Sequence, residues 1–188
     1  MAFRQARRDE SRTIAELYAI SSDGVAQYIW STLAEADEDL LDVGQRRYER
    51  PDSVFSYRSC TIAELDGRVA GMLVAFPMPG ELDEALPEDP VLVPYAKLEQ
   101  ASSYYVCGIA FFPEYRGRGL GTRLMALAEQ HARESGLDAL SLVVFEQNAA
   151  AKRLYGRLGY EEVRREPVHP HPLIHHTGDA VLMVKRLA

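Results

Sequence analysis

The stretch that most constrains this chain is an uncharged run, followed after a three-residue turn by alternating arginine and glycine and then by an amphipathic repeat. Ser103 to Phe112 carries no charged residue, the pattern of a strand buried on both faces. Pro113-Glu114-Tyr115 turns the chain, and Arg116-Gly117-Arg118-Gly119-Leu120-Gly121-Thr122 follows. Leu120, Leu124, Leu127, Ala128 and His131 then share one helical stripe, which Gly136 closes. Glycine lets a backbone approach a bulky anion, because no Cβ stands in the way. A helix start offers unpaired N–H groups and the positive end of a dipole. Together these features make a cradle for phosphate or pyrophosphate. Arg116, Arg118 and Arg123 add charge that suits a ligand with several phosphates. Two familiar phosphate loops do not fit: Gly121-Thr122 lacks the lysine of a Walker A loop, and glycines two residues apart are not GxGxxG. The bland alternative is a flexible turn that ends a strand.

The rest of the chain supplies a scaffold. At 188 residues it suits a single domain over residues 1–188. Ala2 to Gln5 reads as a short strand. A helix follows from Asp9, with Ile14, Leu17, Tyr18 and Ser21 on one stripe and Asp9 or Ser11 as its cap. Further helices are expected over about Ala26 to Leu33 and Ala36 to Arg47, with Pro51 ending the helical region. Arg58 to Leu65 and Arg68 to Phe76 have strand character, and Asp66-Gly67 between them is a hairpin turn. Pro77 to Pro94 is a loop with five prolines and the acids Glu81, Asp83, Glu84, Glu88 and Asp89; loops this long are often functional. A short helical turn is expected over Ala96 to Gln100. Leu140 to Phe145 is a strand, Asn148 to Leu158 a helix ended by Gly159, and Tyr160 to Arg165 and Ala180 to Arg186 are two last strands. The order is mixed α/β, with a mainly antiparallel first half and a strand–helix–strand unit in the second.

Composition excludes several classes. With 47% hydrophobic and 26% charged residues the chain is not a disordered polyelectrolyte. Its formal net charge of −7 repels nucleic acid and anionic membrane and tolerates a cationic partner. Cys60 and Cys107 stand far apart, without disulfide or zinc-knuckle spacing. The N-terminal residues carry no apolar signal region, and no apolar run is long enough to cross a bilayer, so the expected location is the cytoplasm.

The glycine segment also carries a family resemblance. Arg116-x-x-Gly119-x-Gly121 resembles the pyrophosphate motif of the GNAT N-acetyltransferase superfamily. Val106-Cys107-Gly108-Ile109-Ala110-Phe111 resembles the family strand beside the pantetheine arm. Asn148-x-x-Ala151-x-x-Leu154-Tyr155-x-x-Leu158-Gly159-Tyr160 resembles its second coenzyme A element. The motifs cover about Tyr104 to Glu161 and sit at family spacing. The resemblance implies a mixed, mainly antiparallel central sheet flanked by helices, with splayed strands that bind acetyl-coenzyme A. It implies an acyltransferase that moves an acetyl group to a primary amine by direct attack in a ternary complex. Acetyl-coenzyme A would lie against Ile109, Ala110, Phe111, Arg116, Gly117, Arg118, Gly119, Leu120, Gly121, Thr122, Asn148, Ala151 and Tyr155. No metal is expected.

Acyl transfer to an amine needs a neutral amine, a donor to the developing oxyanion and a proton for the departing thiolate. Tyr155 matches the family tyrosine that faces the coenzyme sulfur, and it also falls on an apolar helical stripe with Ala151, Leu154 and Leu158, where it reads equally as core. Asn148 matches a pantetheine contact and is also a natural helix cap. Some family members carry a glutamate about where Tyr105 sits, so a carboxylate base is missing from this strand. Glu146 is the candidate base acting through water; the alternative is a solvated loop carboxylate. Tyr104 and Tyr105 shape an acceptor pocket or simply pack.

Cys107 lies in an apolar strand with nothing in sequence to activate it as a nucleophile. The run from His169 to His176 lacks metal-ligand spacing; it lines the acceptor site or is a solvated loop. The acidic Pro77–Pro94 loop and the histidines favour a cationic acceptor, and the opposing reading is a solvated flap. The acceptor is a small molecule or a peptide amine. Oligomeric state stays open, a homodimer included. A different class of function, a coenzyme A-binding module that senses acyl-coenzyme A without turnover, fits the same fold.

Overall fold

The computed structural model describes residues 1–83 and 85–187; Glu84 of the acidic loop therefore lies outside the described residues. The fold is mixed α/β, with seven strands hydrogen-bonded in the order β1-β2-β3-β4-β5-β7-β6. The backbone groups into two compact units, Met1–Ala75 with Gly108–Leu124, and Phe76–Cys107 with the chain from Met125 onward.

In the first unit, β1 (Ala2–Gln5) and β2 (Cys60–Leu65) pair antiparallel, as do β2 and β3 (Arg68–Pro77). Asp66 and Gly67 turn the β2–β3 hairpin with φ of 53° and 74°, the left-handed pair that the sequence leads one to expect. Three helices follow β1: α1 (Ser11–Ser22), α2 (Val25–Leu33) and α3 (Leu40–Tyr48). Ile14, Leu17, Trp30, Tyr48, Ile62 and Met72 are among its largest fully buried side chains. α2 and α3 pack so closely that a Cβ on Gly44 would lie 2.8 Å from the Trp30 ring.

Two helix starts differ from the sequence expectation. Neither Asp9 nor Ser11 caps α1. Glu10 reaches back instead, accepting from the Arg7 N–H at 2.8 Å and from the Arg4 guanidinium at 2.6 and 2.8 Å. α3 begins at Leu40 rather than near Ala36, because Asp37 takes a left-handed φ of 61° and Asp39 accepts the Leu41 N–H at 2.8 Å, fixing the start there.

In the second unit, β4 (Tyr104–Phe111, of which Tyr104–Cys107 falls here) pairs parallel with β5 (Ala139–Phe145). A parallel pair needs a long crossover, and α5 (Leu120–Glu134) lies on it. β7 (Asp179–Arg186) pairs antiparallel with the whole of β5 and with β6 (Glu161–Pro167). α6 (Ala149–Arg157) joins β5 to β6. Leu98, Met125, Leu140 and Leu142 are fully buried, and the Ser103 and Ser141 hydroxyls pair in the interior at 2.7 Å. α4 (Val93–Lys97) starts three residues before the expected Ala96, with Pro94 in its first turn, where a missing N–H costs nothing. No helix among the described residues is long and apolar enough to cross a membrane.

Candidate active site

The glycine turn belongs to the first unit. After β4, Pro113–Tyr115 forms a 3-10 turn and α5 begins at Leu120. Gly117 and Gly119 hold φ of 74° and 71°, a conformation that residues with a Cβ rarely adopt. Nothing lies within 4 Å of where a Cβ would sit on either, so that side of the turn is open. Arg116, Gly117, Arg118 and Gly119 are exposed, while Leu120 is buried and anchors the helix start.

The arginines shape the turn. Arg116 Nε donates to the Phe111 carbonyl at 3.0 Å, closing the strand end onto the loop. Arg118 donates to the Glu114 carbonyl at 3.0 Å and lies 5.8 Å from the Tyr115 ring centre. Arg123 sits 5.8 Å from the Phe3 ring centre. Arg116 and Arg118 thus brace the turn through backbone carbonyls.

β4 presents Ile109, Ala110 and Phe111 just before this turn, with Ala110 and Phe111 buried. Gly71 of β3 makes the close approach to this segment; a Cβ there would meet the Ala110 carbonyl oxygen at 2.4 Å and the Phe111 ring at 2.5 Å. The parallel β4–β5 ladder runs only from Tyr104↔Leu140 to Val106↔Leu142, although β4 continues to Phe111.

The second unit holds the other predicted residues. Asn148 accepts the Ala151 N–H at 3.1 Å and caps α6, so the capping role is real. Tyr155 is 8% exposed on α6, and burial pushes its hydroxyl up to about 12, because the phenolate is the form that burial penalises. Its ring packs on Tyr160 at 5.9 Å. Tyr155 is thus a packed residue and a protonated donor at neutral pH.

Glu146 is less available than the sequence suggests. Its carboxylate pairs with Arg165 at 2.7 Å, and Arg165 also holds Glu162, which is bound in turn by Lys152. In the acidic loop, Asp83 and Asp89 accept the N–H groups of Ala85 and Val91, each at 2.9 Å, and so serve as turn formers. His171 accepts the Leu173 N–H at 3.2 Å, and His176 stacks on Phe145 at 4.3 Å. Cys60 is buried and Cys107 half-buried, neither in a disulfide. No group of three potential ligands is placed to hold a metal among the described residues.

Sequence reasoning passed over Tyr95. Its hydroxyl is sealed from solvent without a hydrogen-bond partner among the described residues, and its ring stands edge-on to Phe145 at 6.4 Å. No motif marks it; only the fold brings Phe145 beside it.

The first unit thus holds a left-handed glycine turn at a helix start, and the second holds a short parallel ladder and an asparagine-capped helix carrying a buried tyrosine. The chain belongs to the acetyltransferase (GNAT) family, whose model matches residues 23–160. Over 56 residues it is 48% identical to a mycothiol acetyltransferase of Thermobispora bispora, a match that spans 30% of this chain and 18% of that protein. Among solved structures, an N-acetyltransferase from Staphylococcus aureus Mu50 superposes with a TM-score of 0.65 at 19% identity, over 98% of this chain and 100% of that one. PaiA N-acetyltransferase from Thermoplasma acidophilum, in complex with coenzyme A, gives 0.59 at 13% identity over 98% of each chain. At such identities the likeness is one of fold.

Proposed function

We propose that the chain works as one acetyltransferase domain and transfers the acetyl group of acetyl-coenzyme A to a primary amine by direct attack in a ternary complex. The observation that carries this is the Arg116–Thr122 turn: left-handed glycines with open space beside them, at the N-terminus of α5. That N–H row and the surrounding arginines suit a pyrophosphate. The backbone N–H groups of Ile109 and Phe111 would hold the pantetheine arm and polarise the thioester carbonyl.

In this reading the amine nitrogen attacks the thioester carbon, the C–N bond forms and the C–S bond breaks. Tyr155 supplies the proton that the departing sulfur needs. Its raised pKa, about 12, keeps it protonated until then. The low dielectric that penalises the phenolate penalises the thiolate too, which brings the two proton affinities closer together. Asn148 adds an amide beside the arm once it has capped α6. A cationic amine as acceptor is supported by the net charge of −7.

The test is calorimetric. Gly119→Val places a branched side chain on a residue with φ of 71° that abuts the N–H row. Acetyl-coenzyme A affinity is expected to fall by at least about tenfold, the loss of about 1.4 kcal/mol, while the circular dichroism spectrum is kept. Unchanged affinity in a folded variant would remove the turn from the binding site.

A further inference from the structure

Gly108 leaves a gap among the side chains of β4, and α1 fills it. A Cβ on Gly108 would lie 2.9 and 3.0 Å from the Cε2 and Cδ2 atoms of the Tyr18 ring and 3.0 Å from the Ser21 hydroxyl oxygen. The Tyr18 ring therefore takes the place that a side chain at position 108 would have. Packing holds it there. The ring centre of Tyr48, a fully buried residue, lies 5.5 Å away at 54°. The Ser21 hydroxyl donates to the Tyr18 carbonyl at 3.0 Å, and the fully buried Ile14 and Leu17 seat the same helix. Tyr18 and Ser21 themselves are only half-buried, so both keep surface that a ligand can meet.

What adjoins Gly108 along the strand gives this contact its meaning. α1, the segment Gly108–Phe111 and the Arg116–Thr122 turn all belong to the first unit. β4 runs from Tyr104 to Phe111 and leads into that turn. In the proposed function the pyrophosphate sits at the turn, and the pantetheine arm lies on the N–H groups of Phe111 and Ile109. An arm that runs away from the turn meets Phe111 first, Ile109 next and Gly108 last. Three residues of strand, at about 3.3 Å each, put Gly108 about 10 Å back from Phe111. The thioester is at the far end of the arm, so the acyl group comes to the residues that stand on Gly108. Those are an aromatic ring edge and one small hydroxyl.

We propose that the Tyr18 ring sets the length of acyl chain that the protein transfers, and that it stops the donor at acetyl. This rests on the acetyltransferase reading above. A two-carbon acyl group ends where the ring begins. A four- or six-carbon chain has to displace a side chain that is packed on both the Tyr48 ring and the Gly108 backbone, and forcing extra methylenes into such packing is unfavourable. The bonds that form and break are the same for every donor: C–N forms and C–S breaks. A single methylene in a site of this kind discriminates by about 10–200-fold. No motif assigns Tyr18 this role, since it lies on α1, outside the segments that resemble the family's coenzyme A elements.

The experiment compares kcat/KM for acetyl-, butyryl- and hexanoyl-coenzyme A in the wild type, Tyr18→Phe, Tyr18→Leu and Tyr18→Ala. The acceptor is the fastest of agmatine, spermidine, L-lysine and kanamycin in a thiol-release assay. The wild type and Tyr18→Phe are expected to prefer the acetyl to the butyryl donor by at least about tenfold. Tyr18→Ala should bring the two donors within about threefold of each other. Tyr18→Leu, which keeps more of the packing on Tyr48, should fall between. The ratio is read within each variant, so a merely structural loss lowers every donor alike and leaves it unmoved. A wild type that uses the butyryl donor as fast as the acetyl donor overturns the proposal. So does an acetyl preference that survives in Tyr18→Leu and Tyr18→Ala, and a raised KM for the amine would then put the ring against the acceptor instead. Either result leaves the acetyltransferase reading intact. If the wild type releases no thiol from acetyl-coenzyme A with any of the four amines, that reading fails and the proposal falls with it.

Discussion

The rings of Tyr155 and Tyr160 meet at 56° with their centres 5.9 Å apart. Tyr160 is 3% exposed and its hydroxyl is buried without a hydrogen-bond partner among the described residues. An unmet buried hydroxyl costs about 1–3 kcal/mol. Tyr160→Phe is therefore expected to hold or raise the urea midpoint at unchanged m-value. A drop of more than about 1 kcal/mol would mean that the hydroxyl is satisfied in solution.

Tyr155→Phe keeps the ring on Tyr160 and removes only the proton donor. We expect kcat to fall by about 10²-fold, with acetyl-coenzyme A affinity and thermal midpoint little changed. If a chemistry-limited assay shows full kcat in this variant, Tyr155 is packing alone.

Glu10 ties β1 to the start of α1. The Arg4 guanidinium bonds both its oxygens and also pairs with Glu64 at 2.7 Å. The hydrogen bonds from Arg4, then those from the Arg7 backbone, hold the Glu10 carboxyl below its ordinary value of 4.5, against the opposing effect of burial. The folded pKa thus lies below the unfolded one. The stabilisation is complete above about pH 4.5 and is lost as pH falls through the folded value. Charge-assisted bonds of this kind contribute about 1.5–3 kcal/mol. Glu10→Gln should lower stability by that order at pH 7, and the gap to the wild type should close below pH 4.5. A gap independent of pH would show that shape, not charge, is what Glu10 supplies.

The parts of this fold that were legible in sequence are those fixed by local chemistry. Asp66-Gly67 announces its hairpin because few residue pairs accept two left-handed positions. Arg116–Thr122 announces its turn, and Asn148 its cap, for similar reasons. Asp37 misled, since a left-handed aspartate looks like any other in a charged helical run, and the start of α3 moved with it. Pro94 misled in the opposite way, reading as the end of a loop when it opens α4. In the candidate site, motif spacing marked the segments that resemble the family's coenzyme A elements. Tyr95 left no trace, because the ring it stands against, Phe145, is distant in sequence.

The most direct test of the account is thiol release from acetyl-coenzyme A by the purified chain, with agmatine, spermidine, L-lysine and kanamycin in turn. The account predicts release above the protein-free blank with at least one amine, with the acetylated amine formed in equal amount by mass spectrometry. Tight acetyl-coenzyme A binding with no release for any amine would contradict it, and would make the chain a coenzyme A-binding module instead.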